Sequence, residues 1–379
     1  MAEEKGFHIA SLELMQFRSY GEAKISLSPG INCLTGLNGS GKTNVLDALH
    51  FLAFTRGFRS AQDAQAIQEG CDFASLRAEV HEPGREWTVA CSLVKGRGKR
   101  FFVNQKQMEK MSGHIGRLPM VAILPQDGDL VNGAAEHRRR FLDMLISQYD
   151  AAYLSDLIRY GQALAQRNAL LRQMQKDRSW DRELLALWSE QMIGPGIALH
   201  EGRQRFLEAY RPVFEAYFRQ LVSEREAPAI QYQSRREENS PEAWRAYFEA
   251  GAEKDRVLGY TGTGIHKDDL HFSIDGQAVR HYGSQGQQKT FLLALKLGQY
   301  QVLRQRCGKA PLLLLDDIFD NLDDERLARI ALLLRSEVGG QVWITDTSLE
   351  RMKAVFAGND GPERRFFDVS RGSIRQFNE

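Results

Sequence analysis

The chain has 379 residues, which at roughly 150 residues per domain suggests two or three domains. It is 42% hydrophobic and 26% charged, the balance of a globular protein with a sizeable core rather than a disordered one. Its 50 basic and 49 acidic residues leave a net charge of +1, which excludes a uniformly basic nucleic-acid coat and confines any such contact to local patches. The longest apolar runs, such as Leu312 to Leu315, fall far short of the ~20 residues a membrane span needs. The polar start Met-Ala-Glu-Glu-Lys has no apolar core of a signal peptide. Four scattered cysteines, Cys33, Cys71, Cys91 and Cys307, form no CxxC pair. That argues against a zinc site or a disulfide framework and for a reducing cytoplasm.

In chain order, residues 1–132 read as mixed α/β. Strand-like runs at Ser11 to Leu14, Gly30 to Thr35, Trp87 to Leu93 and Met120 to Leu124 alternate with Gly-rich turns and one helix carrying Val45, Leu46, Leu49, Leu52 and Ala53. Residues 133–250 read as a helical insert. Leu154, Leu157, Ile158, Gly161, Leu164, Ala165, Asn168 and Leu171 recur at helical spacing, as do Phe206, Tyr210, Val213, Phe214, Tyr217 and Leu221. Pro195 and Pro212 are expected to mark breaks or helix starts. The series lacks sustained heptads, which predicts a compact bundle rather than a long coiled coil. Residues 251–379 return to strand and turn signals. The α/β parts on either side of the insert are expected to form one discontinuous domain.

The strongest chemical signal is Gly36-Leu37-Asn38-Gly39-Ser40-Gly41-Lys42-Thr43, a GxxxxGK[ST] phosphate loop. Glycines let successive backbone N–H groups turn inward around phosphates. Lys42 would reach the β and γ phosphates of ATP, and the Thr43 hydroxyl would ligate Mg²⁺. The loop lies between a strand and a helix, so it opens a helix N-terminus where the dipole favours anions. Leu312-Leu313-Leu314-Leu315 then reads as a parallel strand buried on both faces, ending in Asp316-Asp317. Asp316 at that strand end can hold Mg²⁺ through water, and Asp317 is placed to orient or deprotonate an attacking water.

A third signal is Ser284-Gln285-Gly286, opening a helix through Leu292, Leu295 and Val302; an ordinary N-cap is the alternative reading. Gln126, after Pro125 and a strand, could bridge Mg²⁺ to the attacking water, or be an exposed loop glutamine. Lys95, Arg97, Lys99 and Arg100, interleaved with Gly96 and Gly98, could contact DNA phosphates or form a plain solvated turn. For Arg138, Arg139 and Arg140, with Asp143 nearby, internal packing is the favoured reading. His266 reads as structural, with a nucleotide-sensing role as the alternative.

Taken in order, the phosphate loop, the SQGQ segment, LLLLDD and Asn321-Leu322-Asp323 resemble an ATP-binding-cassette (ABC) head. That resemblance implies two ATP molecules sandwiched in a head-to-tail homodimer, with Ser284, Gln285 and Gly286 meeting the γ-phosphate held by the other subunit. Thr345-Asp346-Thr347 occupies the position where many transport cassettes carry histidine. The remaining motifs are similar to those of the RecF family of bacterial DNA replication and repair proteins. They are Phe17-Arg18-Ser19-Tyr20, Thr43-Asn44-Val45-Leu46-Asp47-Ala48, Arg138-Arg139-Arg140-Phe141-Leu142-Asp143, Gln166-Arg167-Asn168-Ala169-Leu170-Leu171, Gly264-Ile265-His266-Lys267-Asp268-Asp269-Leu270 and Gly283 to Lys289. Asp47 replaces the family's usual Glu, Ile265 replaces Pro, Gly133 to Glu136 lack a Pro, and Asp320 to Asp323 replace S-E-L-D.

The resemblance implies an ABC-type ATPase head, a P-loop NTPase, with an inserted all-helical domain, and places Arg18 near the nucleotide. It also implies an ATP-bound dimer that clamps duplex DNA near single-strand gaps, and slow, DNA-stimulated ATP hydrolysis that releases it. RecO and RecR would be its partners in loading RecA onto single strands during repair, recombination and the SOS response. The absent switch histidine and the long insert weigh against a transporter ATPase subunit. The lack of heptad arms weighs against a cohesin-like tether.

Overall fold

The computed structural model describes residues 6–59, 62–222, 226–236, 238–318, 329, 331–334, 338–356 and 363–377. The Asn321-Leu322-Asp323 segment lies outside the described residues. Two compact units emerge, one comprising residues 1–127 and 296–379, the other residues 128–295.

The first unit contains two six-stranded sheets. One joins β1 (His8–Phe17), β2 (Tyr20–Ser26), β4 (Phe73–Glu82), β5 (Arg85–Val94), β6 (Gly98–Val103) and β7 (Lys106–Gln107) in the order β2-β1-β4-β5-β6-β7, antiparallel throughout. The other has the order β15-β14-β3-β13-β12-β8, where β3 is Ile31–Thr35, β8 Met120–Ile123, β12 Leu312–Leu315, β13 Val342–Asp346, β14 Arg364–Ser370 and β15 Ser373–Gln376. All its pairs are parallel except β14 with β15. Every residue of β3, β12 and β13 is buried; β12 is the continuous apolar run expected of a parallel strand covered on both faces, whereas β3 and β13 also bury Asn32, Thr35, Thr345 and Asp346. The four sequence-predicted strands correspond to β1, β3, β5 and β8.

Helix α1 (Lys42–Phe54) packs against both sheets and buries every residue but Thr43. Its burial is therefore all-round rather than confined to a single stripe, and takes in the polar Lys42, Asn44, Asp47 and His50. Buried Gln341 stitches the sheets together. Its side chain accepts from the Ile9 amide at 3.0 Å and donates to the Ile9 and Ser28 carbonyls at 2.8 and 2.7 Å. Cys33 and Cys91 are buried free thiols, and burial pushes Cys33 up to about 12, so neither is a reactive thiolate.

The second unit holds α2 (Gly128–Asn132), α3 (Ala135–Ile146), α4 (Ala151–Asp177), α5 (Arg182–Leu221), α6 (Pro241–Leu258), α7 (Val279–Tyr282) and the start of α8 (Gln285–Cys307); a last helix, α9 (Leu349–Val355), belongs to the first unit. Asp150, Asp181 and Ser240 cap α4, α5 and α6 through their side chains, each satisfying an otherwise orphaned amide. The unit is not wholly helical. Strands β9 (Pro228–Gln233), β10 (Asp269–Ile274) and β11 (Gln277–Ala278) form an antiparallel sheet, so residues 251–295 group with the insert rather than with the head. The physical reason is pairing: β9 finds its hydrogen bonds on β10, beyond the expected boundary.

Nor do the prolines break α5. It runs for 40 residues through Pro195 and Pro212, about 60 Å at 1.5 Å per residue. Burial of one face of the helix compensates for the amide bonds lost at proline. Next to Pro195, Gly196 is required by packing, since a Cβ there would lie 2.4 Å from the Trp244 ring.

Four ion pairs cross this unit: Arg138–Asp269 at 2.6 Å and Arg203–Asp143 at 2.9 Å, each with a half-buried carboxylate, and Arg167–Asp255 at 2.6 Å and Arg236–Asp268 at 2.7 Å, buried at both partners. Arg139 donates to the Asp268 carbonyl at 2.8 Å, whereas Arg140 is exposed. Asn168 accepts from the amide and hydroxyl of Thr261, both at 2.7 Å. The RRRFLD, QRN and HKDD segments, far apart in sequence, thus share one polar network.

His266 sits within that network. The Tyr160 hydroxyl is 2.9 Å from its Nδ1, and its Nε2 is 3.0 Å from the Thr261 carbonyl, a geometry suited to the neutral ring. Burial above all pushes the imidazole down to about 4, with Lys267 and Arg139 adding to the shift and the Thr261 carbonyl and Asp268 opposing it. The unfolded chain takes up this proton near pH 6.5 and the folded chain only near 4. Stability is therefore expected to fall as pH drops through that window, by about 3 kcal/mol in all. Urea midpoints at pH 7 and 5 check it: His266→Gln should show a shallower loss than the parent, and equal slopes would refute the assignment.

Candidate nucleotide-binding site

The site begins where β3 ends. The chain leaves Thr35 and turns through Gly36 to Gly41 into α1, with Leu37, Asn38 and Gly39 exposed and Ser40 partly covered. Two glycines are obligatory here. Gly36 has φ 152°, and a Cβ would lie 2.3 Å from the Val369 carbonyl oxygen; Gly41 has φ 116°, and a Cβ would lie 2.8 Å from the Tyr20 hydroxyl.

The β1–β2 turn braces the loop from the side. The Tyr20 hydroxyl donates to the Gly41 carbonyl at 2.9 Å, and the Asn44 side-chain amide donates to Ser19 Oγ at 2.9 Å. The sequence reading singled out Arg18 in this segment and missed Ser19 and Tyr20, although the FRSY string contains both. Arg18 is held beside the loop by Asp47. Its Nε and Nη2 donate to Asp47 Oδ2 at 3.1 and 2.8 Å, and its Nη1 donates to the Gln65 carbonyl at 2.9 Å. Fully buried Asp47 also accepts from the Phe58 amide at 2.8 Å, so the Asp that stands for Glu here anchors both Arg18 and the segment after α1.

Because β13 lies between β3 and β12, three adjacent parallel strand ends place the loop, Thr345 and Asp316 side by side. The Thr43 hydroxyl donates to Asp316 Oδ1 at 3.1 Å. The Thr345 hydroxyl lies 2.7 Å from the same oxygen and 3.3 Å from Asp317 Oδ1, and accepts from the Asp317 amide at 2.9 Å. Asp317 itself adopts a left-handed backbone, φ 48°. Burial holds the Asp316 carboxyl above its ordinary range; the Asp317 carboxylate pushes the same way, while hydrogen bonds from Thr345 and Thr43 oppose. Asp346 closes the group by accepting from Arg351, Nη2 to Oδ1 at 2.8 Å, while its backbone carbonyl takes the Gly36 amide at 3.3 Å.

The residues fit a phosphate chain with Mg²⁺. Ser40 Oγ is buried inside the loop without a hydrogen-bond partner. The buried Lys42 ammonium rests on the loop's own Gly36 and Leu37 carbonyls at 2.8 and 3.2 Å, bonds that a phosphate oxygen can replace. Thr43 and Asp316 present a pair of hard oxygen donors of the kind Mg²⁺ takes alongside phosphates and water.

Gln126 is exposed, on a one-turn helix of Pro125 to Asp127 that follows β8 at the same end of this sheet. Ser284, Gln285 and Gly286 belong to the second unit. Ser284 and Gln285 are exposed and Gly286 half-buried, at the start of α8. Gln287 makes a reciprocal capping box, its side chain accepting from the Ser284 amide at 2.8 Å and its amide donating to Ser284 Oγ at 3.2 Å. Of the basic stretch, Lys95, Arg97 and Arg100 are exposed around the β5–β6 turn. Lys99 is not available to such a patch, because it pairs with Asp63 at 2.8 Å and lies over the Phe51 ring.

The family model for the RecF/RecN/SMC N terminal domain matches residues 8–357. The DNA replication and repair protein RecF of Flavobacterium johnsoniae is 40% identical over 348 residues, covering 92% of this chain and 96% of that protein. Its counterpart in Cytophaga hutchinsonii is 39% identical over 370 residues, covering 97% of each. Among solved structures, the recombination mediator protein RecF-ATPrS of the RecFOR pathway matches with a TM-score of 0.88 and 26% identity, over 98% of this chain and 99% of that one. A Pyrococcus furiosus Smc head domain, with a TM-score of 0.56 and 16% identity over 98% of this chain and 96% of that one, shares the fold alone. The fold is that of an ABC-type ATPase head of the P-loop NTPase class, and no helix among the described residues is long and apolar enough to cross a membrane. In sequence and in architecture alike, the chain belongs to the RecF family.

Proposed function

We propose that the protein is an ATP-operated, DNA-binding switch of replication and recombinational repair, with ATP hydrolysis used for timing rather than for work. The junction of Thr43, Asp316, Asp317 and Thr345 at the mouth of the phosphate loop carries this reading. Loop amides and Lys42 bind the phosphates of ATP; Thr43 and Asp316 hold Mg²⁺. The metal, when bound, neutralises charge on the β and γ phosphates. Thr345 fixes both carboxylates, so Asp317 can orient the attacking water and accept its proton. Gln126 completes the water's surroundings, and Arg18 lies beside the nucleotide.

Exposed Ser284, with the open amides of Gln285 and Gly286, is suited to meet the γ-phosphate held by a second copy of the chain, since its hydroxyl proton remains free to donate. ATP then adds binding energy across a head-to-tail dimer, and hydrolysis withdraws it. That dimer would clamp duplex DNA near single-strand gaps, with Lys95, Arg97 and Arg100 as candidate phosphate contacts. It would act with RecO and RecR in the cytoplasm to promote loading of RecA, with slow turnover stimulated by DNA.

The reading is tested by fluorescence anisotropy of a gapped duplex at fixed salt, with and without ATP and Mg²⁺. Binding that depends on ATP and is lost in Lys42→Ala is the expected result; binding indifferent to ATP would detach the ATPase from DNA. Asp317→Asn should lower turnover by about 100-fold or more and prolong the ATP-bound dimer in size-exclusion runs. Ser284→Arg should bind ATP yet remain a monomer. Dimerisation of that variant with ATP would rule out the sandwich.

A further inference from the structure

Lys296 is a buried cation on α8, 8% exposed, flanked by the fully buried Ala294 and Leu295 and by buried Leu297. Its ammonium donates to the Ala122 carbonyl at 2.9 Å and lies 2.9 Å from Asp127 Oδ2. The same carboxylate oxygen accepts from the Leu124 amide at 2.8 Å, and the Asp127 amide donates back to the Leu124 carbonyl at 2.9 Å. Residues 124–127 are thereby closed into a small ring, and Gln126 stands at its crest. The ring continues β8, which pairs Ile123 with Leu315 and takes the Asp316 amide on the Ile123 carbonyl at 2.9 Å. An apolar side chain at 296 would serve packing alone and avoid the cost of burying an ammonium.

We propose that Lys296, acting through Asp127, is the positioning residue that sets Gln126 for ATP hydrolysis. This rests on the reading of Gln126 given above. The ammonium holds Asp127, Asp127 shapes the turn, and the turn fixes the direction in which the exposed glutamine projects. Misplacement of a water-orienting group by about 1 Å is enough to lower a rate by up to two orders of magnitude without weakening substrate binding.

Steady-state ATP turnover, ATP affinity and thermal midpoint are compared in the full-length chain for Lys296→Met, Gln126→Ala, the double variant and Lys296→Arg. Turnover in Lys296→Met should fall on the order of tenfold with ATP affinity unchanged. Gln126→Ala should fall equally, the double variant no further, and Lys296→Arg should recover part of the loss. Asp127→Asn retains an oxygen for the Leu124 amide but loses the charge, and it should repeat the defect if Lys296→Met does not fold. Full turnover in Lys296→Met, or in Asp127→Asn where that variant stands in for it, beside an impaired Gln126→Ala overturns the inference alone. So do losses that multiply in the double variant. Full turnover in Gln126→Ala overturns the reading of Gln126 itself and this inference with it.

Discussion

Replacing Lys42 by alanine is expected to weaken ATP binding by at least about 100-fold, equivalent to about 2.8 kcal/mol, while leaving the thermal midpoint of the nucleotide-free protein nearly unchanged. The ammonium is buried against two loop carbonyls; the Leu37 carbonyl keeps the Ser40 amide as a second partner at 3.2 Å, and water can take the place of the lysine. What cannot be replaced is a positive charge at the head of α1, where three or four phosphate charges must be offset in a partly desolvated loop. Titration of a fluorescent ATP analogue, with melting curves run in parallel, separates the two effects. Near-normal affinity would mean that the loop amides alone supply the binding energy. A large fall in melting temperature would mean that the lysine is chiefly a structural brace.

The second large effect concerns stability rather than nucleotide. Arg167→Met is expected to destabilise the second unit by about 3–5 kcal/mol, the usual range for breaking a buried ion pair from one side. The pair is among the most enclosed in the molecule, with side-chain exposures of 1% for Arg167 and 0% for Asp255. Arg167 also donates to Ser189 Oγ at 2.9 Å and to Thr261 Oγ1 at 2.8 Å, and lies over the Phe248 ring. Methionine fills the volume but leaves Asp255 buried with, among the described residues, only the Gly262 amide, at 2.7 Å, as a donor to its side chain. Equilibrium unfolding in urea measures the loss. Combining Arg167→Met with Asp255→Leu should cost less than the two single losses together, because the uncompensated charge is then gone. A loss below about 1 kcal/mol would place the pair among ordinary surface contacts.

Sequence by itself determined those parts of the site that are contiguous. The phosphate loop is an eight-residue string whose chemistry is local: glycines where a Cβ cannot fit, a lysine and a hydroxyl on the first turn of a helix. The Leu312 to Leu315 run was legible for the same reason, since a strand buried on both faces must be apolar throughout, and so was the capping pattern at Ser284. Family motifs such as RRRFLD and QRN could be recognised as strings. Their purpose could not, because Arg167 meets Asp255 across 88 positions and Arg138 meets Asp269 across 131.

Tertiary structure decided everything that depends on which strands are neighbours. Thr345 joins the Asp316–Asp317 pair only because β13 is inserted between β3 and β12, and Tyr20 braces Gly41 only because the β1–β2 turn comes back onto the loop. Strand β9 begins with a proline and its in-and-out alternation spans only six residues, so its place in a sheet is decided by its partner β10. The uninterrupted passage of α5 through Pro195 and Pro212 has the same origin. Local propensity disfavours it by a few kcal/mol at each proline, and burial of Leu199, Phe206, Tyr210, Phe214 and Phe218 along one helix outweighs that cost. Short-range chemistry is written in consecutive residues; a pairing across a hundred positions exists only once the chain has folded.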